Sequence, residues 1–580
     1  MANNYLKYIN NSRRYRVAGI LYIVTTVVYL FWLNGHLNYQ DWWLSLPFFF
    51  AQAYTAMLVT LSVINNWKAK YETVRPTLPT NLPCVAIVVP VYEEPIDIIQ
   101  RTLKSLLHIS YDKDLVIIVS KGYNGNFKET AYTQKLIDMV NTVCSDHANI
   151  STKSAKHQRK NIHLLFSNQQ NNAKAGNLNA TLDFLAKEYP WIDHVLTQDA
   201  DEIAYCDLLK ATMGYFNDPK IAYVQTIKQA DVNKHDPFGN HDLMWYCRTA
   251  ASRNADNAMF ACGSGVVWKI SALRSIGGFA TWNLVEDLTT SYNLLAAGWK
   301  SSYHYEALSK GIAPEDLPNF IKQRSTWALD NMRLFFWDNP LFKKGLTLRQ
   351  KLHFIETPLF YLNGYAGIAF VLTVSASLYF RVWPTTSSAL THALFIFPSF
   401  ITMEIYFLLL ADTIPFRRIR QFWVGLAPVF IITSLQALLY GPKKKPTYQV
   451  TRKINKVGNY LHMVLPQLVL LVLIVVALLK NILGTPLYSG FDWAALFWGF
   501  YLASFYLQII RVSMWNWIPD ISIEAITIGG LPNWFPNFDK LKNIFGSTPL
   551  INRSHGFNTP DNTHHVPYTK STDYHSNSNK

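Results

Sequence analysis

Apolar residues are concentrated towards the two ends of this chain, in blocks long enough to cross a lipid bilayer. A membrane-spanning helix needs about 20 mostly apolar residues, and the blocks that approach this length are 17–33, 44–64, 358–380, 391–411, 421–440, 460–480 and 492–512. Between them, short apolar runs alternate with polar stretches over residues 83–342. The pattern predicts a polar domain inserted between membrane helices, which lie at 17–65 before it and at 358–411 and 460–512 after it.

The block at 421–440 differs from the others in its flanks. Arg417, Arg418 and Arg420 precede it, and Lys443–Lys445 follow it. If this block crossed the membrane, one basic cluster would lie outside, against the positive-inside tendency. Its Pro428 would also leave a backbone carbonyl without its helical partner. We therefore predict an interfacial or re-entrant helix over 417–440 and six spans elsewhere, with residues 1–16 and the largely disordered tail 516–580 in the cytoplasm.

The charge and cysteine content agree with a membrane protein that has a cytoplasmic domain. Lys and Arg number 53 against 38 Asp and Glu, a net charge of +15. Basic flanks of membrane segments account for this excess, so we expect no nucleic-acid partner. Three arginines within 10–16 precede the first block without a cleavage site after it, which indicates a retained signal anchor. The five cysteines are odd in number and lack metal-ligand spacing, which favours a reduced compartment.

The central segment 83–342 shows the alternation of strands and helices typical of an α/β domain. The runs 85–90 and 115–119 are continuous and rich in β-branched residues, as in buried parallel strands, and a helical stretch at 96–107 separates them. Such sheets bind ligands at the carboxyl ends of their strands. The segment 92–94 follows the first of these strands and is therefore placed at that edge.

Two aspartates follow the apolar run 194–197 and are the strongest chemical signal in the chain. Asp199 and Asp201 are one residue apart, so their side chains point the same way from an extended backbone. Paired carboxylates can hold a hard cation such as Mg²⁺ or Mn²⁺, which in turn can hold a diphosphate. An isolated Asp-x-Asp is more often a solvated turn, so this interpretation depends on the motifs that surround it.

Four elements in order resemble the processive family 2 glycosyltransferases, the group that contains cellulose, chitin, hyaluronan and curdlan synthases. They are the segment 174–179 (Lys-Ala-Gly-Asn-Leu-Asn), the aspartate pair, Glu286-Asp287, and Gln323 to Trp327 (Gln-Arg-Ser-Thr-Trp). The resemblance implies an α/β domain of the GT-A type, inserted between transmembrane helices, with residues 343–357 as an interfacial segment. It covers roughly residues 83–512.

The resemblance also implies a role for each matched residue. Asp287 would be the catalytic base, and Asp199 with Asp201 the metal ligands. The nucleotide sugar would be bound by Tyr92, Glu94, Lys174, Asp199, Arg324, Thr451 and Lys453, the last two from a gating-like basic loop at 441–458. The acceptor would be bound by Cys262, Gln323 and Trp327. The alternative for the loop at 441–458 is a basic juxtamembrane segment attracted to anionic lipid.

Two of the motifs depart from the family pattern at the proposed donor site. Ser120-Lys121-Gly122 stands where the family usually has Asp-Asp-Gly, whose first aspartate contacts the nucleotide base. Thr326 stands where the last motif usually has an arginine near the diphosphate, a role that Arg324 could assume. The nucleotide is therefore less firmly predicted than the fold.

The resemblance predicts a multi-pass plasma-membrane enzyme that polymerises a β-glucan from UDP-glucose and passes the growing chain across the bilayer. The overall architecture is most like the β-glucan synthases of lactic acid bacteria, which favours a (1,3)-β-D-glucan with (1,2) branches, as exopolysaccharide or capsule. Cellulose is the alternative product. A non-processive transferase acting on a lipid carrier and an inactive scaffold homologue are the rival functions. The sequence gives no oligomeric state.

Overall fold

The computed structural model describes residues 12–69, 74–122, 130–151, 160–167, 173–231, 238, 242–314, 316–412, 414, 416–444, 458–484 and 490–514. The predicted loop 441–458 is therefore described only at 441–444 and 458, and Thr451, Lys453 and the tail 516–580 lie outside the described residues.

The polar domain is built on one mixed sheet, whose eight described strands run in the order β3-β2-β1-β4-β7-β6-β8-β5. The strands are β1 Val85–Val91, β2 Leu115–Gly122, β3 Lys160–Ser167, β4 His194–Thr197, β5 Glu202–Ala204, β6 Ile221–Asp231, β7 Val266–Lys269 and β8 Lys300–Ile312. From β3 to β4 all neighbours are parallel. β7 is antiparallel to both β4 and β6, and β5 is antiparallel to β8. β6 and β8 are parallel to each other. The predicted α/β fold of the GT-A type is confirmed, although the sheet is mixed, because β7 and β5 run against the other six described strands.

Helices cover both faces of this sheet. They are α3 Ile96–Leu107, α4 Ala131–Ser151, α5 Ala173–Glu188, α6 Leu208–Thr212, α7 Ala250–Ala255, α8 Ile270–Ser275, α9 Glu286–Ala296 and α10 Leu317–Trp337. Every residue of β1 is buried. Val85, Ile87 and Val89 pack in one core with α3 and α4, while Ala86 and Val88 pack in another with α5. The continuous apolar run of β1 is explained by this burial on two faces.

The remaining helices form the membrane part. They are α1 Ser12–Gly35, α2 Trp42–Asn65, α11 Leu348–Phe380, α12 Ala389–Ala411, α13 Phe416–Gly425, α14 Ala427–Tyr440, α15 Leu465–Gly484 and α16 Gly490–Ser513. Within the described residues, six helices are long and apolar enough to cross a membrane, namely α1, α2, α11, α12, α15 and α16. Hydroxyl pairs join α1 to α12: Thr26 Oγ1 lies 2.5 Å from Ser399 Oγ, and Thr25 Oγ1 lies 3.0 Å from Thr402 Oγ1.

The segment predicted as interfacial or re-entrant is a broken helix. α13 and α14 are bent by 53° at Leu426, and by length and composition the pair is either a broken span or a re-entrant loop. Pro428 lies in the first turn of α14, where its missing N–H leaves no helical hydrogen bond unmade. The break therefore places this proline at a helix start instead of inside a continuous span.

Candidate active site

The first two candidate residues lie where β4 leaves the sheet. The backbone N–H of Gln198 still donates to Val88 O at 3.0 Å, and the N–H of Asp199 then donates to Ser264 Oγ at 2.8 Å. Asp201 follows in the turn before β5 and is buried. The two carboxylates thus stand at the carboxyl edge of the parallel strands, as the sequence predicts.

Lys174 joins three segments of this edge from the start of α5. Its Nζ lies 2.6 Å from Asp199 Oδ1 and 3.2 Å from Glu286 Oε1, and it donates to Gly263 O at 2.8 Å. Burial would lower the pKa of Lys174, but Asp199 and Glu286 outweigh it and hold the pKa well above its usual value. The lysine is therefore a permanent cation that neutralises the carboxylates around it.

Asp287 is buried in the first turn of α9, beside this cluster. Its Oδ1 accepts from the backbone N–H of Leu288 at 2.6 Å. A side chain on Gly263, whose φ is +79°, would place Cβ 2.9 Å from Asp287 Oδ2 and 3.2 Å from Lys174 Nζ. Burial and neighbouring Glu286 raise the pKa of Asp287, against the opposing effect of Lys174. The carboxylate is thus a stronger base than an exposed aspartate.

Cys262 precedes Gly263 and is half-buried. Its backbone N–H donates to Gln225 Oε1 at 2.7 Å, which fixes the strand-to-loop path next to Asp287. Burial and the charge of Asp287 raise the pKa of the Cys262 thiol to about 12. The side chain is therefore a neutral thiol at physiological pH and cannot serve as a thiolate nucleophile.

Two charged residues of the cluster were missed by the sequence analysis. Lys228, on β6, is ion-paired with Glu202 and lies 3.8 Å from Asp199 Oδ2. Glu202 is fully buried and accepts from Ser309 Oγ at 2.6 Å. Glu202 directly follows Asp201 and could have been suspected from that spacing. Lys228 has no sequence signal, since it reaches Asp199 and Glu202 only through the strand order of the sheet, in which β6 lies between β7 and β8.

The second group of candidates lies at the ends of β1 and β2. The backbone N–H of Tyr92 donates to Glu94 Oε2 at 2.7 Å. Lys121 donates to Tyr92 O, and its Nζ lies 4.6 Å from the centroid of the Tyr92 ring and 5.4 Å from that of Tyr132. Burial lowers the pKa of Lys121, against the opposing charges of Glu93 and Glu94. The departure at 120–121 thus places an ammonium group against the predicted stacking residue.

The third group lies on α10. Arg324 is buried; its guanidinium carbon lies 4.4 Å from the Trp327 ring centroid and 5.0 Å from that of Trp423, and its Nη2 lies 2.9 Å from Asp242 Oδ1. Gln323 and Trp327 are half-buried on the same helix. The structure thus shows the Arg324 guanidinium packed against the Trp327 ring. The contact of Arg324 with a diphosphate stays a prediction.

Comparison with known proteins identifies relatives of the segment that carries this site. Residues 83–329 match the sequence model described as "Glycosyltransferase like family 2". The chain is 27% identical over 404 residues to the UDP-forming cellulose synthase catalytic subunit of Pseudomonas fluorescens. The aligned segment covers 66% of this chain and 50% of that protein. It is 28% identical over 391 residues to the cellulose synthase 1 catalytic subunit of Komagataeibacter xylinus, 64% and 48% of the two chains. The chain thus spans about half the length of these relatives.

Among solved structures, a mannosyltransferase of Pyrobaculum calidifontis in complex with GDP-Man and Mn²⁺ aligns with a TM-score of 0.46 at 17% identity, over 68% of this chain and 99% of that one. The family match spans the sheet, the strand-end cluster and the tryptophan motif. Residues 83–329 therefore match the family 2 glycosyltransferases, in a chain whose flanking helices are long and apolar enough to cross a membrane.

Proposed function

We propose that this protein is a membrane-embedded, processive, inverting glycosyltransferase that polymerises a β-glucan from UDP-glucose and passes it across the bilayer. One observation carries the proposal: the cluster of Lys174, Asp199, Glu286 and Asp287 at the carboxyl edge of the sheet. It combines carboxylates for a cation, an ammonium for a diphosphate and a buried base within one site.

The chemistry assigned to this cluster is a single displacement at the anomeric carbon. Asp287 accepts the proton of the attacking acceptor hydroxyl, whose oxygen forms the new glycosidic bond. The bond from the anomeric carbon to the diphosphate oxygen breaks, and UDP leaves with its electron pair. Because attack and departure are on opposite faces, an α-linked donor yields a β-linked product.

A divalent cation fits the donor set of this site. Asp199 and Asp201 offer carboxylate oxygens, the ligands that Mg²⁺ and Mn²⁺ prefer. In the part of the chain that the structure describes, no group of three or more His, Cys, Asp or Glu forms a complete cage, so the diphosphate and water would supply the other ligands. Bound there, the cation would neutralise charge on the leaving diphosphate.

The lysines of the cluster can also serve the diphosphate. Lys174 and Lys228 both approach Asp199, so a cation at Asp199 would compete with two ammonium groups. A diphosphate supplies new anionic partners for the displaced lysine. We propose that Lys174 turns from Asp199 towards the diphosphate when donor and cation bind together.

Two linkages are proposed for the product. The overall architecture favours a (1,3)-β-D-glucan with (1,2) branches, and cellulose is the second candidate because the curated relatives are named cellulose synthases. The test uses purified protein in lipid nanodiscs with Mg²⁺ or Mn²⁺ and radiolabelled UDP-glucose. The product is sized and digested with a β-1,3-specific or a β-1,4-specific glucanase.

Each outcome of this experiment decides one part of the proposal. High-molecular-weight material cut by the β-1,3 enzyme alone supports the first linkage, and material cut by the β-1,4 enzyme alone supports cellulose. A product carrying a single added sugar contradicts processivity. If UDP-glucose gives no product and another nucleotide sugar does, the assigned donor is wrong, and the Lys121 site is where the difference would be sought.

A further inference from the structure

A buried arginine on α10 contacts both the loop before the catalytic helix and the end of the broken helix. The side chain of Arg333 is fully buried. It belongs to none of the motifs that resemble the glycosyltransferases, and it lies six residues after Trp327 on the same helix. Four of its five hydrogen-bond acceptors are backbone oxygens.

Every N–H of this guanidinium has an acceptor. Nε donates to Asn283 Oδ1 at 3.0 Å. Nη1 donates to Gly441 O and Lys444 O, both at 2.9 Å, and Nη2 donates to Trp282 O at 3.1 Å and Pro442 O at 3.4 Å. A guanidinium has five N–H groups in a fixed planar fork, so all five are used between two chain segments.

The first segment leads directly to the proposed base. Asn283 donates to Thr289 Oγ1 at 3.1 Å, on α9, and the backbone N–H of Val285 donates to Asp330 Oδ2, one turn before Arg333 on α10. α9 begins at the next residue, Glu286, and Asp287 follows. Hydrogen bonds among buried groups therefore link the guanidinium to the start of α9, which carries Asp287.

The second segment is the end of the broken helix. α14 ends at Tyr440, and Gly441 then adopts φ +64° and ψ −177°, a conformation essentially reserved for glycine. Trp337 Nε1 also donates to Ala437 O at 3.0 Å, one turn earlier. α10 thus holds the last turn of α14 and residues 441–444 from one side.

We propose that Arg333 is a positioning residue, which fixes the start of α9, and with it Asp287, relative to residues 441–444 at the end of α14. The inference rests on the proposed function for the role of Asp287. Only arginine offers enough donors in one plane to hold both segments. A lysine at this position can donate to some of the five acceptors, and a glutamine can donate to fewer of them.

The kinetic test compares Arg333→Gln and Arg333→Lys with Arg274→Gln, a substitution of an exposed arginine on α8. We expect R333Q to lower the kcat of glucan synthesis about 10- to 100-fold, since misplacement of a catalytic group by about 1 Å can cost about 100-fold. The KM for UDP-glucose and UDP binding should stay within twofold, R333K should recover part of kcat, and R274Q should match the parent. A rise in KM at constant kcat would overturn the proposal.

A structural readout separates this inference from the proposed function. Hydrogen exchange in nanodiscs should show that R333Q lowers the protection of 282–285 and of 441–444 together, whether or not the enzyme uses UDP-glucose. Gly441→Ala disturbs the same link from its other end, so its effect on 282–285 and that of R333Q should be less than additive. Loss of protection at 441–444 alone, or full additivity, would show that the two segments are not coupled through Arg333.

Discussion

Two cationic centres lie on either side of the proposed base, and they differ in what their partners can do. Lys174 is partly exposed and holds two carboxylates and one carbonyl. Arg333 is fully buried and holds five oxygens, four of which belong to the backbone. A flexible ammonium can exchange one anion for another, whereas a saturated planar guanidinium in the interior cannot. The first centre is suited to a substrate that comes and goes, and the second to a fixed geometry.

The largest effect is expected from Asp287→Asn, which removes the base and keeps the shape of the side chain. Glucan synthesis should fall by roughly 10²- to 10⁴-fold, the usual contribution of a general base, while UDP binding persists. Radiolabel incorporation and UDP titration measure the two quantities on the same preparation. Asp183→Asn, at an exposed position of α5, is the control. Activity near the parent level in D287N would remove Asp287 from the mechanism.

Asp201→Asn comes next, because Asp201 is a proposed ligand and Asn is a weaker one for a hard cation. The concentration of Mn²⁺ that gives half-maximal synthesis should rise by roughly 100-fold, the upper end of what lost support of a metal ligand costs. Direct Mn²⁺ binding in the presence of UDP, followed by electron paramagnetic resonance, checks the same change without turnover. An unaltered Mn²⁺ affinity would place the cation elsewhere.

Lys174→Met tests the first of the two cationic centres. A hydrogen bond to a charged group contributes about 1.5–3 kcal/mol, so the KM for UDP-glucose should rise roughly 10- to 100-fold. The matched control is Lys187→Met on the same helix, where the lysine side chain is 84% exposed and forms a surface ion pair with Glu188. Equal effects of the two substitutions would mean that Lys174 is a structural ion pair and does not bind the donor.

The smallest expected effect is on the pH dependence of stability, at Asp330, which lies one turn before Arg333. Burial raises the pKa of Asp330 from its ordinary 3.8 to about 7, so between these two pH values the folded protein retains a proton that the unfolded chain has released. This stabilisation is complete below about pH 4 and is lost as the pH rises through about 7. The unfolding temperature should therefore fall by a few degrees between pH 5 and 8, and Asp330→Asn should remove that part of the slope. Identical slopes would refute the assignment.

The sequence predicts the first centre better than the second, for a physical reason. Parallel strands at 85–91, 115–122 and 194–197 follow from continuous apolar runs, and their carboxyl ends must share one edge. Asp199 and Lys174 meet there because of that topology. Lys228 reaches the cluster only because β6 joins the sheet beyond antiparallel β7, an arrangement that no periodicity in the chain records.

The second centre could not be predicted, because four of its five acceptors are backbone carbonyls. Every residue type carries such a carbonyl, so residues 441, 442 and 444 leave no trace in the sequence of what binds Arg333. The break between α13 and α14 is an intermediate case. The basic flanks and Pro428 favour a helix that does not cross as one straight span, but the 53° bend at Leu426 depends on packing.

The hydroxyl pairs between α1 and α12 have a consequence for the biosynthesis of this protein. Thr25 and Thr402 are 377 residues apart, so α1 enters the membrane long before its partner has been translated. At about 5–20 residues per second, that interval is roughly 20–75 s. Thr25 Oγ1 also lies 2.8 Å from Leu21 O on its own helix, which gives the hydroxyl a local acceptor until α12 has been translated. The membrane part is therefore completed only after the glycosyltransferase domain has left the ribosome.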